Sequence, residues 1–291
     1  MKIKVLGWKY PPLDCVSRIE SAFLELGHEL TDDEPDILYK NNDFFDDAWQ
    51  FYDKCNKKTF TIFNILDLQL DTWERLQIEK LEEDLNSCNQ VTCISETVKK
   101  DIQRVFNIEA KVIYNPAKPT YPLNISNKTF PFLYVGRANS KNKRFSLIKE
   151  TFNLACWPDK YIKVCGSENP LFGQYQGIVS DEKLNELYNH AGVLLMPSQS
   201  EGIGLGYIEM LQVGGVVLGC SDCEAANEFL PKEMICDPFP ISIKNKILEI
   251  QANYDYFRQL ALEYGNKYKE QFSGINVAKR IIDIYKNAIT V

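Results

Sequence analysis

The residues best suited to chemistry gather in one stretch, Pro197-Ser-Gln-Ser-Glu-Gly-Ile-Gly-Leu-Gly-Tyr-Ile-Glu209. It follows an apolar run and opens a helical pattern. Gly202, Gly204 and Gly206 allow a backbone to approach a ligand closely. The free N–H groups of a helix start favour an anion, most often phosphate. Glu201 and Glu209 flank that cradle, and carboxylates can accept hydrogen bonds from sugar hydroxyls. The local physics therefore points to a phosphorylated ligand that carries a polyol. Spacing alone is weak support, because Glu74 and Glu82 stand equally far apart on a charged helix that reads as a solvated face. Context separates the two pairs: a strand before, glycines between and a helix after.

A second group is Val135-Gly136-Arg137 at the end of a strand, followed by Lys141, Lys143 and Arg144. Ligands of parallel α/β sheets bind at the carboxyl ends of strands. Cations there can neutralise a diphosphate. The bland alternative is a solvated basic turn. Cys220-Ser-Asp-Cys223 is the one C-x-x-C. It lacks half of a zinc site's ligands, and neither His28 nor His190 is near it in sequence.

The elements that must position these groups alternate. Strand patterns fall at Lys2–Trp8, Asp36–Tyr39, Thr59–Leu66, Gln90–Ile94 and Lys111–Tyr114. Between them lie helical patterns: one after Asp14 with Val16, Ile19, Phe23 and Leu26 on one face, one over Asp71–Asn86, and one over Thr97–Phe106 capped by Ser95. Pro116, Pro119 and Pro122 then mark a boundary. The alternation restarts with strands at Phe132–Val135, Tyr161–Cys165, Val193–Met196 and Val216–Gly219. Helices are expected over Arg144–Leu154 and, capped by Ser180, over Asp181–His190. From Ile241 the pattern is mostly helical, and a last helix near Ile275–Ile289 places Val277, Ile281, Ile282 and Tyr285 on one face. Strands alternating with helices imply parallel sheets and right-handed crossovers.

Bulk composition narrows the function classes. The 291 residues carry 33 Lys plus Arg against 40 Asp plus Glu, a net charge of −7. That balance argues against a nucleic-acid binder acting through bulk charge. No apolar run reaches the roughly 18 residues of a spanning helix, and the first residues turn polar too soon for a signal peptide. Nine cysteines without a secretion signal read as reduced cytosolic thiols, so a cytoplasmic protein is expected.

On these residues the chain resembles a GT-B glycosyltransferase, nearest to glycosyltransferase family 4, the retaining enzymes that use nucleotide sugars. FLYVGRANSKNKRFSLI, YIKVCGSE and GIVSDEKLNELYNHAGVLLMPSQSEGIGLGYIEML carry the resemblance through Phe132 to about Glu228. Looser matches are Gly27-His28, CISETVKKDIQ, VIYNP and FSGINVAKRIIDIYK. The resemblance implies an α/β fold of two Rossmann-like domains with parallel sheets facing a cleft. It divides the chain into a short acceptor-side domain at 1–115, a linker at 116–129, a donor domain at 130–272 and a helix at 273–291 that packs back on the first domain.

The same resemblance implies roles. Arg137 and Lys143 would hold the donor diphosphate, and Glu201 would contact the transferred sugar. Backbone at Gly136, Gly202, Ile203, Gly204 and Leu205 would meet phosphate or sugar. Glu209 would bind ribose hydroxyls, and backbone near Val179 the base. No metal and no separate cofactor are expected beyond the nucleotide-diphosphate sugar. The acceptor is left open among glycan, lipid and protein, as are membrane attachment and oligomeric state. Arg144 stands where a glycine is usual, Gly206 and Val216 where prolines are. Leu66 falls where a first-domain histidine is frequent, with Asn64 and Asp67 nearby as substitutes. A binding protein without turnover is the second reading. A third is a nicotinamide-dependent dehydrogenase, with Gly202-x-Gly204 at the phosphates and Asp222 on the ribose.

Overall fold

The structure is a computed structural model of the chain. It describes all residues except 8–14, 42–58, 67, 69–74, 124–127 and 291. The chain divides into two compact units, one formed by Met1–Pro116 with Gln271–Val291 and the other by Ala117–Glu270.

The first unit is built on a six-stranded sheet in the order β2-β1-β3-β4-β5-β6. Its strands are β1 (Lys2–Leu6), β2 (Glu29–Leu30), β3 (Ile37–Asn41), β4 (Phe60–Ile65), β5 (Gln90–Cys93) and β6 (Lys111–Val112). Every pairing is parallel. Among the expected strands, Lys2–Trp8 ends earlier, at Leu6, and Trp8 and Asp14 lie outside the described residues. The two-residue β2 was too short to show a period. Helix α1 (Cys15–Glu25) buries Val16, Ile19, Ala22 and Phe23. It stops because Gly27 takes a left-handed φ of 77°. There Gly27 N–H donates to Leu24 and His28 N–H to Phe23, closing the last carbonyls. Two further helices are α2 (Arg75–Ser87) and α3 (Glu96–Phe106). Ser95 caps α3 by accepting from Val98 N–H at 3.2 Å.

The chain's last helix, counted below as α10 (Gly274–Ile289), also belongs to this unit. Ser273 caps it, and Val277, Ala278, Ile281, Ile282 and Ile284 are buried. They join Val16, Ile19 and Phe23 of α1 and Ile3, Val5, Ile37 and Tyr39 of the sheet in one core cluster. Tyr285, expected on the buried face, is only partly covered and meets Phe60 edge-on at 5.7 Å.

The second unit holds another six-stranded sheet, ordered β12-β11-β10-β7-β8-β9. These are β7 (Phe130–Val135), β8 (Ile162–Cys165), β9 (Gln174–Gly177), β10 (Ala191–Leu195), β11 (Val216–Cys220) and β12 (Ile235–Cys236). All pairings are again parallel. Its helices are α4 (Phe145–Ala155), α5 (Asp181–His190), α6 (Leu205–Gln212), α7 (Glu224–Phe229), α8 (Pro240–Ala252) and α9 (Tyr254–Gln271), the last of which ends at the unit boundary. β10 and β11 are runs of small and branched apolar residues that are almost wholly buried, as strands covered on both faces require. The segment expected as a linker is packed into this unit over Ala117–Leu123. Tyr121 N–H donates to Asn185 Oδ1 at 2.9 Å and Leu123 N–H to Asn189 Oδ1 at 2.8 Å.

Helix α9 lies backbone to backbone on the end of α6. A Cβ added at Gly265 would stand 2.1 Å from the Leu211 carbonyl oxygen and 2.6 Å from its carbon. Gly265→Ala must therefore push the helices apart. The expected loss is about 1–3 kcal/mol in spite of alanine's better helix propensity. A urea midpoint equal to wild type would disprove the close approach.

Candidate functional site

Parallel pairing puts the carboxyl ends of β7, β8, β9, β10 and β11 at one end of the second sheet. The loops that leave those ends carry most of the residues singled out in the sequence.

After β10 the chain runs through Pro197–Gly204 into α6. Gly204 is the N-cap residue with a left-handed φ of 73°. A Cβ there would meet the Tyr207 ring at 2.5 Å, so glycine is required on both counts. Ile203 and Gly204 are buried, whereas Gly202, Leu205 and Gly206 are partly open. Leu205 and Gly206 begin the helix, where backbone N–H groups have no intrahelical acceptor.

After β7 comes Gly136, then Arg137, whose side chain is exposed. Among the described residues no ion pair involves Arg137. Gly136 is pinned from the neighbouring strand end: its N–H donates to Cys165 at 2.9 Å. A Cβ on Gly166 would come within 2.1 Å of the Gly136 carbonyl oxygen. The loop continues through a short 3-10 turn, Lys141–Lys143, into α4.

The structure brings Lys143 and Glu201 together from these two loops. Lys143 Nζ lies 2.6 Å from both carboxylate oxygens of Glu201. Ser198 Oγ donates to Glu201 Oε1 at 2.7 Å. Both side chains are mostly covered, 16% and 10% exposed, so their attraction is only weakly screened. Two backbone-anchored contacts hold the loops side by side: Gln199 N–H donates to the Asn142 carbonyl at 2.7 Å, and Asn142 Nδ2 to the Ser200 carbonyl at 3.3 Å.

Glu209 sits one turn inside α6 in a different setting. It is 4% exposed. Its Oε2 accepts from the Tyr188 hydroxyl at 2.8 Å and its Oε1 from Lys118 N–H at 3.2 Å. Burial and the adjacent Glu209 carboxylate hold the Tyr188 phenol well above its ordinary range, so it stays a donor. Val179 is half-buried just past the end of β9, in front of the Ser180 cap of α5.

Several sequence expectations change here. Asp222 is not free to bind a ribose as the dehydrogenase reading required. Arg144 Nη1 and Nη2 grip its two oxygens at 2.7 Å each. Arg144 reads in the sequence as one cation of the basic turn after β7, with no partner assigned. Its partners lie 53 to 78 positions away, which no local spacing reveals. Asn64 is absorbed in a buried ladder across three strands: it donates to Asn41 Oδ1 at 2.8 Å and accepts from Thr92 Oγ1 at 2.9 Å. Asp67 lies outside the described residues. His28 ends α1, and His190 ends α5 with its Nδ1 3.2 Å from Thr129 Oγ1. Cys220 ends β11 and Cys223 is the N-cap residue of α7, both are buried, and the eight described cysteines form no disulfide. Among the described residues, no group of His, Cys, Asp and Glu is placed to hold a metal ion, and no helix is long and apolar enough to cross a membrane.

Two parallel α/β sheets, with the last helix packed on the first, define the GT-B fold. Solved structures agree along nearly the whole chain. Sucrose-phosphate synthase from Thermosynechococcus elongatus superposes with a TM-score of 0.72 at 15% identity, over 94% of this chain and 77% of that one. Anabaena HepE in complex with UDP-glucose gives a TM-score of 0.73 at 10% identity, over 98% and 99%. No protein-family profile matches the chain. In sequence it is similar to the O-antigen chain mannosyltransferase RfbU of Salmonella typhimurium, 29% identical over 52% of this chain and 47% of that protein. It is also similar to the O-antigen chain mannosyltransferase B of Escherichia coli, 24% identical over 73% and 64%. The matches thus span about half to two thirds of the length of these curated relatives.

Proposed function

We propose that this chain is a glycosyltransferase that moves a sugar from a nucleotide-diphosphate donor to a glycan acceptor, with retention of configuration and without a metal ion. The observation that carries the reading is the Lys143–Glu201 pair beside the Gly204-capped start of α6, at the carboxyl ends of a parallel sheet. A cation, a carboxylate and free backbone N–H groups together match a charged diphosphate joined to a hydroxylated sugar. The likeness to mannosyltransferases that act on an O-antigen chain supports a hexose donor and a glycan acceptor. The fold shared with a protein that binds UDP-glucose supports the donor class.

In this reading the diphosphate lies against Arg137, Lys143 and the N–H groups of Leu205 and Gly206. Lys143 exchanges part of its contact with Glu201 for phosphate oxygens. Glu201, freed but still held by Ser198, accepts from a sugar hydroxyl. Glu209, oriented by Tyr188 and Lys118, accepts from the ribose. When the glycosidic bond breaks, negative charge grows on the leaving diphosphate. Fixed cations stabilise it without reorganisation, which lowers the barrier.

The test is a panel of nucleotide-diphosphate sugars, with nicotinamide dinucleotides as controls. A matching donor at a hundred times its Kd should stabilise the fold by about 2.7 kcal/mol. It should also be turned over, by transfer or slow hydrolysis. Binding without turnover across the panel would contradict the enzymatic part of the proposal. Stabilisation by nicotinamide dinucleotides alone would contradict it entirely.

A further inference from the structure

Arg144 occupies a backbone conformation that its residue type avoids. Its φ of 47° and ψ of 41° lie in the left-handed region, where a Cβ crowds the following carbonyl. Glycine would sit there without strain. The side chain accounts for the exception. Nε donates to the Pro197 carbonyl at 2.8 Å, Nη2 to the Ser198 carbonyl at 3.0 Å, and both terminal nitrogens to Asp222. The side chain is 17% exposed, against 40% for Asp222. One planar guanidinium thus ties together the loops that follow β7, β10 and β11. Lysine could not do this, because a single ammonium does not span a carboxylate fork and two backbone carbonyls in one plane.

The position of this clamp is what matters. Arg144 directly follows Lys143. Its two carbonyl partners include Ser198, whose hydroxyl holds Glu201. The clamp therefore acts on both halves of the Lys143–Glu201 pair without touching either carboxylate oxygen of Glu201. We propose that Arg144, held by Asp222, is a positioning residue that sets the geometry of the Lys143–Glu201 pair. The local backbone is strained so that two loops from separate strands keep one register. Misplacing reacting groups by about 1 Å can cost a hundredfold in rate, so such a clamp has a kinetic consequence. The kinetic half of this inference rests on the glycosyltransferase reading, whereas the structural half does not.

The experiment compares wild type, Arg144→Gly and Asp222→Asn as full chains. Hydrogen–deuterium exchange is followed in residues 197–203, and kcat and donor KM are measured with the nucleotide sugar turned over by wild type. Thermal stability serves as control. Arg144→Gly relieves the backbone, so its melting temperature should not fall. Exchange in residues 197–203 should quicken in both variants, with β10 and β11 protected as in wild type. Turnover should drop at least tenfold in Arg144→Gly while donor KM stays within threefold, because the cations and backbone groups that bind the donor remain. Unchanged exchange in that loop overturns the clamp. Quickened exchange with unaltered kcat overturns the positioning role. A matching fall in melting temperature and activity would reveal a merely structural residue. If wild type turns over no nucleotide sugar, the functional reading fails separately, and loop exchange still decides the clamp.

Discussion

Lys143→Ala is expected to lower turnover about a hundred- to a thousandfold, the loss found when one preorganised donor to a developing anion is removed. In the proposed reaction the ammonium is one of two side-chain cations near the leaving diphosphate. The second, Arg137, is exposed and so more strongly screened by solvent. Removing Lys143 also leaves Glu201, only 10% exposed, beside Ser198 without its neutralising partner. That carboxylate would then repel the donor's phosphates. Both effects act on one step, and neither is offset by a relaxed fold. Steady-state kinetics on the matching donor checks this. Turnover above a tenth of wild type would remove Lys143 from the proposed role. Lys143→Arg should recover little, because a planar fork replaces a compact charge whose two contacts are both 2.6 Å long.

Asp84→Ala is expected to destabilise the first unit by about 3–5 kcal/mol, the cost of breaking a buried ion pair by deleting one member. Lys40 lies on β3 and is 0% exposed. Its Nζ stands 3.1 Å from Asp84 Oδ2 on α2 and 4.8 Å from the Phe63 ring centroid. Without the carboxylate, the buried ammonium loses the anion that stands 3.1 Å away. The penalty is therefore desolvation as well as lost attraction. Replacing both residues by apolar ones of similar size, Lys40→Met with Asp84→Leu, should recover most of the loss, because both charges of the pair are then removed together. Urea denaturation followed by circular dichroism distinguishes these outcomes. A midpoint for Asp84→Ala within error of wild type would show that the pair carries no net stability.

Much of the fold was legible along the chain. Ser95 and Ser180 cap helices where expected, because an N-cap hydroxyl answers donors only two or three residues on. The long apolar strands were visible because burial on both faces demands continuous branched and apolar side chains. The sequence shows no sign of β2, β9 or β12. β2 and β12 are two residues long, and β9 is the polar edge run Gln174–Gly177. Edge and short strands owe their existence to a neighbour's backbone, which leaves no local period. The stretch 116–129 read as a linker because of its prolines, yet Asn185 and Asn189 of α5 fasten part of it to the second unit.

The site divides in the same way. By itself the sequence determined where a phosphate cradle could form, since Gly204 and the helix start are adjacent in the chain and their geometry is local. It also marked Glu201, Lys143 and Arg137 as groups worth weighing, by their place after strands. Only the tertiary structure decided how those groups combine. Lys143 reaches Glu201 across 58 positions, Lys118 reaches Glu209 across 91, and Arg144 reaches Asp222 across 78. Parallel pairing brings such distant loops to one sheet end, and direct short-range contact then selects partners. That selection depends on distances of about 3 Å in space, which residue spacing along a chain does not encode.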